Sequence, residues 1–143
     1  MSQPIVIDTN VALDLFVFDD ERARPLMSGL ARGDWHWLAT PDMRGELARV
    51  LSYAHILARL SFYDLQADAV LTQFDAHAHL VAVPDKASVT CRDPDDQKFI
   101  DLAVAHRCIL LSKDKAVLTM KKRLAALQVQ VAASLAALPL AAG

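Results

Sequence analysis

The sequence predicts an α/β protein, a three-layer α/β/α sandwich built on a parallel sheet of about five strands. Three observations lead there. Short apolar runs alternate with segments of helical spacing along the chain. Turn signals, usually an acid or a hydroxyl, sit where a run gives way to a helix. The chain has 143 residues, 54% of them apolar, which is enough to close one hydrophobic core. No charge run, Ser/Gly-rich stretch or internal repeat divides it, so residues 1–143 are expected to form a single domain.

The elements follow in order. PIVID, positions 4–8, is a short apolar run and predicts a strand, and DTNVALDLFVF, positions 8–18, has the spacing of a helix. HWLA, from His36 to Ala39, predicts a second strand. Thr40 and Pro41 then supply an N-cap and a first-turn proline for a helix from Asp42 to about Leu60. Apolar residues at Phe62, Leu65, Ala69, Val70 and Phe74 make 62–74 a further amphipathic helix. Leu80 to Val83 predicts a third strand. Asp93-Pro94 opens a helix to about His106, Cys108 to Leu111 is an apolar strand, Lys115 to Leu127 is a helix, and Val129 to Val131 closes the sheet.

The formal net charge is −2 and the pI about 6.2, which excludes a strongly basic nucleic-acid binder; any such contact must be local. The first apolar run is too short for a signal-peptide core and lacks basic flanks, and no segment is long and apolar enough to span a bilayer. The expected location is therefore the cytoplasm, with no membrane partner. Cys91 and Cys108 have neither a redox nor a zinc-knuckle spacing and are read as reduced and structural. His77 and His79 fall at the predicted end of a helix without a third ligand and are read as surface residues.

In open parallel sheets ligands bind at the carboxyl ends of the strands, which is where acids carry chemistry. Asp8 directly follows the first strand in the turn Asp8-Thr9-Asn10, and Ser112 and Asp114 repeat the arrangement after the strand CILL. Taken singly, each acid is explained by helix capping. Glu46 is more informative. At 100° per residue from Met43 it lies at about 300°, with Leu57, Val50 and Ala54 at about 320°, 340° and 20°, so a charge projects from an apolar face. Either an arginine (Arg44, Arg49 or Arg59) or a bound cation must compensate it. With Asp96 at the origin, Phe99, Ala103 and Ile100 fall at about 300°, 340° and 40°, whereas Asp101 falls at about 140°. Asp96 is thus expected to face inward and Asp101 water, with Asp93 as the N-cap before Pro94.

Asp8, Glu46, Asp96 and Asp114 can therefore meet at one edge of the sheet, where their mutual repulsion requires a hard divalent cation. Oxygen ligands suit Mg²⁺ or Mn²⁺ rather than Zn²⁺. The chemistry such a site serves best is phosphodiester hydrolysis, which needs no protein nucleophile.

The motifs IVIDTN, the Glu of RGELARVL, the acid in DPDDQKFIDLA and LLSKD stand in an order that resembles the PIN-domain nucleases, many of which are ribonuclease toxins of bacterial toxin-antitoxin pairs. The resemblance covers essentially the whole chain and is closest to the VapC-like toxins. It implies that Asp8, Glu46, Asp96 and Asp114 are the metal-binding, catalytic acids, with Asn10 and Ser112 as polar helpers, and that Mg²⁺ or Mn²⁺ is required. It also implies an RNA substrate, a homodimer and inhibition by a partner antitoxin protein. Lys113 is unexpected at a place where similar sequences carry a small residue; it either contacts a phosphate or points to solvent. Arg44, Arg49, Lys98 and the run Lys121-Lys122-Arg123 are the cations available to RNA phosphates. The apolar tail from Val131 to Ala142 is a candidate for surface covered in a dimer.

Three other readings compete. A degenerate PIN-like domain would bind RNA or protein without catalysis, against which the complete set of acids argues. A receiver-like phosphoacceptor domain would want an Asp at the end of a central strand and a Lys after the last, places that Asp85 and Lys113 fill poorly. A haloacid-dehalogenase phosphatase would carry an Asp where this chain has Asn10.

Overall fold

The structure is a computed structural model and describes residues 2–138. Five strands, β1 (Gln3–Ile7), β2 (Trp35–Ala39), β3 (Ala78–Leu80), β4 (Ile109–Leu111) and β5 (Val131–Ala132), form one sheet in the order β3-β2-β1-β4-β5. Every pairing is parallel, with Ile5 opposite both Trp37 and Ile109 and Ile7 opposite Leu111. This is the expected α/β sandwich. A parallel sheet covered on both faces must be apolar without alternation, and Ile5, Val6, Leu110 and Leu111 are accordingly buried on consecutive positions.

From β1 to β3 the chain moves to one edge through α1 (Thr9–Phe16), α2 (Arg24–Arg32), α3 (Pro41–Val50), α4 (Ala54–Phe62) and α5 (Ala67–His77). It then returns beside β1 and continues the other way through α6 (Gln97–His106), α7 (Lys115–Leu118) and α8 (Lys121–Ala125). Crossovers of the usual right-handed sense would set these two groups of helices on opposite faces. Thus α1 packs on α2 and α3, and α3 on α5, while α6 packs on β1 and β4 and both α7 and α8 on β5. Phe99, Ile100, Leu102 and Ala103 bury the inner side of α6. The direction of winding reverses between β1 and β4, which opens a crevice at their carboxyl ends.

Several elements differ from the expectation, each for a local reason. The helix expected from Asp42 to Leu60 is two helices, because the Ser52 backbone N–H and its hydroxyl both donate to the Arg49 carbonyl and close the first one. Phe62 ends α4 and is exposed; a left-handed Asp64 then separates it from α5, so 62–74 is not one helix. The third strand is Ala78–Leu80 rather than 80–83, set by the pairing of Ala78, His79 and Leu80 with Trp37, Leu38 and Ala39. The helix expected over 115–127 breaks between Leu118 and Lys121, where Met120 turns inward and is buried.

The last strand begins at Val131, after a left-handed Gln128. Helix α2 was not expected, although Pro25 in its first turn and a left-handed Gly33 after its end are ordinary boundary signals. Val131 and Ala132 are buried in this sheet, and Leu135 and Leu138 pack on its core, so that part of the tail is not free for a dimer; positions 139–142 of it lie outside the described residues. Cys91 and Cys108 are free and buried. Among the described residues, no helix is long and apolar enough to cross a membrane.

Candidate metal centre at the carboxyl edge of the sheet

The crevice between β1 and β4 is built by extending their ladder. The Asp8 backbone N–H donates to the Leu111 carbonyl at 2.9 Å, and that of Ser112 donates to Ala132 at 3.0 Å. Asp8 and Ser112 are thereby set side by side. Asp8 stands at the N-cap position of α1, yet its side chain makes no capping bond. It accepts instead from the Ser112 hydroxyl at 2.6 Å, and that same oxygen accepts from the Asp114 backbone N–H at 3.1 Å. Ser112 is fully buried and so ties two acids together without competition from water. Burial pushes the Asp8 carboxyl up to about 6; the Ser112 hydroxyl and the Thr9 N–H oppose this, while the charges of Glu46 and Asp114 add to it.

Asp96 comes from the 3₁₀ turn Pro94–Asp96 rather than from the first turn of an α-helix. The turn is capped as expected by Asp93, whose carboxylate accepts from the Asp95 N–H at 3.0 Å. Asp96 is 7% exposed, and its Oδ2 is buried with no hydrogen-bond partner. Its carboxyl is pushed up to about 8, first by burial, then by the charges of Asp8 and Asp114, a hydrogen bond with Asp114 and the charge of Asp93. Asp114 does cap a helix, accepting from Ala116 at 2.9 Å, and still presents its carboxylate to this cluster. One oxygen from each of Asp93, Asp96 and Asp114 lies within 4.8 Å of the others.

Glu46 reaches the crevice from α3 with its side chain 17% exposed. Its partner is none of the three arginines considered. Lys98 donates to Oε1 at 2.7 Å, and the Thr9 hydroxyl donates to Oε2. Arg44 is occupied elsewhere, donating twice to Asp75 of α5 at 2.8 and 2.9 Å. Neither it nor Lys98 is therefore an idle cation.

Asn10 accepts from the Lys113 backbone N–H at 3.4 Å. The Lys113 ammonium lies 2.6 Å from Asp14, a buried acid of α1 that sequence reasoning missed, so it is a paired residue rather than a solvent-directed one. Asp101, expected to face water, accepts from the Ala87 N–H at 2.8 Å and from Gln97 at 2.7 Å. Gln97 in turn holds Val89 and Cys91, and together they fasten the 87–91 loop that leads to Asp93. The histidine pair is divided: His77 ends α5 and His79 lies in β3 with its ring 4.0 Å from that of His36.

The donor set at the crevice is oxygen only, with an unpartnered buried carboxylate oxygen at its centre. Keeping such a group ionised is costly unless a cation faces it, and a hard divalent ion fits that demand. Asp93, Asp96 and Asp114 are grouped to hold one, with Asp8 beside them and Glu46 within electrostatic reach of Asp8. A family model described as PIN domain matches residues 4–116, a span that contains all of these acids. No curated protein matches the chain.

Proposed function

The chain belongs to the PIN-domain family, and from that premise we propose that it is a Mg²⁺- or Mn²⁺-dependent endoribonuclease that hydrolyses RNA phosphodiester bonds. PIN domains are generally nucleases, so hydrolysis of nucleic acid is the activity to expect of the fold. The observation that carries the reading is Asp96, a buried carboxylate with a free oxygen among other acids. In this assignment Asp8, Glu46, Asp96 and Asp114 serve the ion, Glu46 through its charge rather than as a direct ligand, with Asp93 joining Asp96 and Asp114 and with Asn10 and Ser112 in support.

Asp96, Asp93 and Asp114 would hold a divalent ion, which would supply Lewis acidity to the phosphodiester and ease charge onto its leaving oxygen. The residues of the chain do the rest. Ser112 fixes Asp8 and the start of α7 in one arrangement, Thr9 and Lys98 orient Glu46, and the Asp14–Lys113 pair anchors the turn that bears Asp114. An ammonium has three donors, and Lys98 uses its contacts to Glu46 and the Asp95 carbonyl, which leaves a donor for a phosphate oxygen.

The narrower reading is a VapC-like toxin with a cognate antitoxin, acting as a homodimer in the cytoplasm. Its support is the order of IVIDTN, RGELARVL, DPDDQKFIDLA and LLSKD along the chain. Residues 1–143 are read as one domain, since a single apolar cluster runs from Ile5 to Ala132. The test is cleavage of total RNA by purified protein with added Mn²⁺ or Mg²⁺. Cleavage should be lost with a chelator and lowered about a hundredfold or more in Asp8→Asn or Asp96→Asn. Cleavage that persists in both variants, or its absence with either ion, would overturn the proposal.

A further inference from the structure

The acids of the crevice are not compensated alike. Among the described residues, no side-chain cation reaches Asp93, Asp96 or Asp114 within hydrogen-bonding or ion-pair distance, and Asp96 keeps an unpartnered oxygen although it is only 7% exposed. Glu46, bonded to Thr9 next to Asp8, has both oxygens engaged, one by the Lys98 ammonium and one by the Thr9 hydroxyl. Lys98 is itself held from two directions. Besides Glu46 it donates to the Asp95 carbonyl at 2.6 Å, and its ammonium lies 5.1 Å from the centre of the Phe99 ring. Only 26% of its side chain is exposed. An ammonium on a solvent-swept stem would not be confined in this way.

We propose that Lys98 is a cation built into the acidic crevice, taking with Glu46 the place of a second divalent ion, so that the site binds a single metal. The inference rests on the metal-dependent reading above and specifies its stoichiometry. Sites that use two ions place them about 3.5–4 Å apart and share carboxylates between them. Here the carboxylate nearest in the chain's bonding to Asp8 outside the trio is Glu46, held by Thr9, and a second ion would have to remove it from an ammonium at 2.7 Å. Mg²⁺ also gives up its waters reluctantly, which weakens its claim on an oxygen already bonded. The crevice is thus divided into a half that needs a metal and a half that carries its own charge.

The experiment counts Mn²⁺ ions bound per chain, by calorimetric titration and by the free-ion paramagnetic signal, with folding checked by circular dichroism. The native chain should bind about one ion, Lys98→Met about two, and Lys98→Arg about one, since it keeps the charge. Adding Glu46→Gln to Lys98→Met should return the count to about one. Two ions in the native chain, or one in Lys98→Met, would overturn the inference while leaving the metal-dependent reading intact. No binding by the native chain would overturn that reading, and this inference with it. Should Lys98→Met prove unstable, Lys98→Gln takes its place, with the same count of about two expected and a count of one overturning the inference.

Discussion

Asp14 and Asp96 are buried to the same degree, each 7% exposed, and they have opposite surroundings. Asp14 meets the Lys113 ammonium at 2.6 Å, whereas Asp96 meets Asp8, Asp93 and Asp114 and keeps an oxygen with no partner. The first is a finished ion pair that holds α1 to the turn after β4. The second is unfinished within the chain, and the proposed ion is what would complete it. Burial of an acid therefore says little about function until its partner is known.

The sharpest way to break this comparison is Asp96→Asn. Besides the loss of cleavage already described, it should change how stability depends on pH. A carboxyl whose folded value is raised from 3.8 to about 8 binds its proton more tightly in the folded state than in the unfolded one. Its contribution is fully present below about pH 4 and is lost progressively as pH rises to about 8. Asp8, raised to about 6, acts in the same sense over the lower part of that window. Metal-free protein should thus lose urea resistance between about pH 4 and 8, and Asp96→Asn should flatten that decline. An unchanged decline in the variant would mean that Asp96 carries no such penalty.

Lys113→Met should act the other way, stranding Asp14 as a buried charge. Partial exposure of the lysine moderates the cost to about 2 kcal/mol, measured by urea unfolding at neutral pH. The double variant Asp14→Leu/Lys113→Met should recover most of it, as expected where an ion pair serves structure alone. Failure to recover would mark the pair as more than an anchor. The smallest effect belongs to Asp101→Asn, which keeps one acceptor oxygen for the Ala87 N–H and should cost about 1 kcal/mol while altering Mn²⁺ affinity less than threefold. A large loss of affinity would mean that Asp93 depends on this loop anchor.

The parallel sheet was legible because its strands are continuous apolar runs and its turns carry acids and hydroxyls. Asp8, Asp96 and Asp114 were legible from position, two following strands directly and one lying at an inward helical angle. What the sequence withheld were partners. Glu46 was singled out by a helical phase that ran on to Ala54 and Leu57, which lie on α4 instead and are exposed, and its cation is Lys98, 52 residues away, rather than an arginine on its own segment. Asp101 does point away from the inner side of α6, but the 87–91 loop covers that direction, which an angle along a helix does not reveal. Asp14 and Lys113 belong to one pair whose members lie on separate elements; Lys113 stands out in the sequence without a partner, and Asp14 goes unnoticed, until β1 and β4 are neighbours. The breaks at Ser52 and Met120 arise from local bonding and burial that override helical periodicity.

That neighbourhood of β1 and β4 sets an order of events during synthesis. The bond from Ser112 to Asp8 spans 104 residues, and no shorter stretch of the chain can bring those two groups together. A nascent chain that has displayed Asp8, Glu46 and Asp96 still lacks the strand that closes the crevice, and docking so distant a strand is a late and comparatively slow step of folding. The acidic crevice therefore cannot assemble until the segment that carries Ser112 and Asp114 has been made and docked, and a product truncated before Asp114 would carry most of its acids with no place for them to meet.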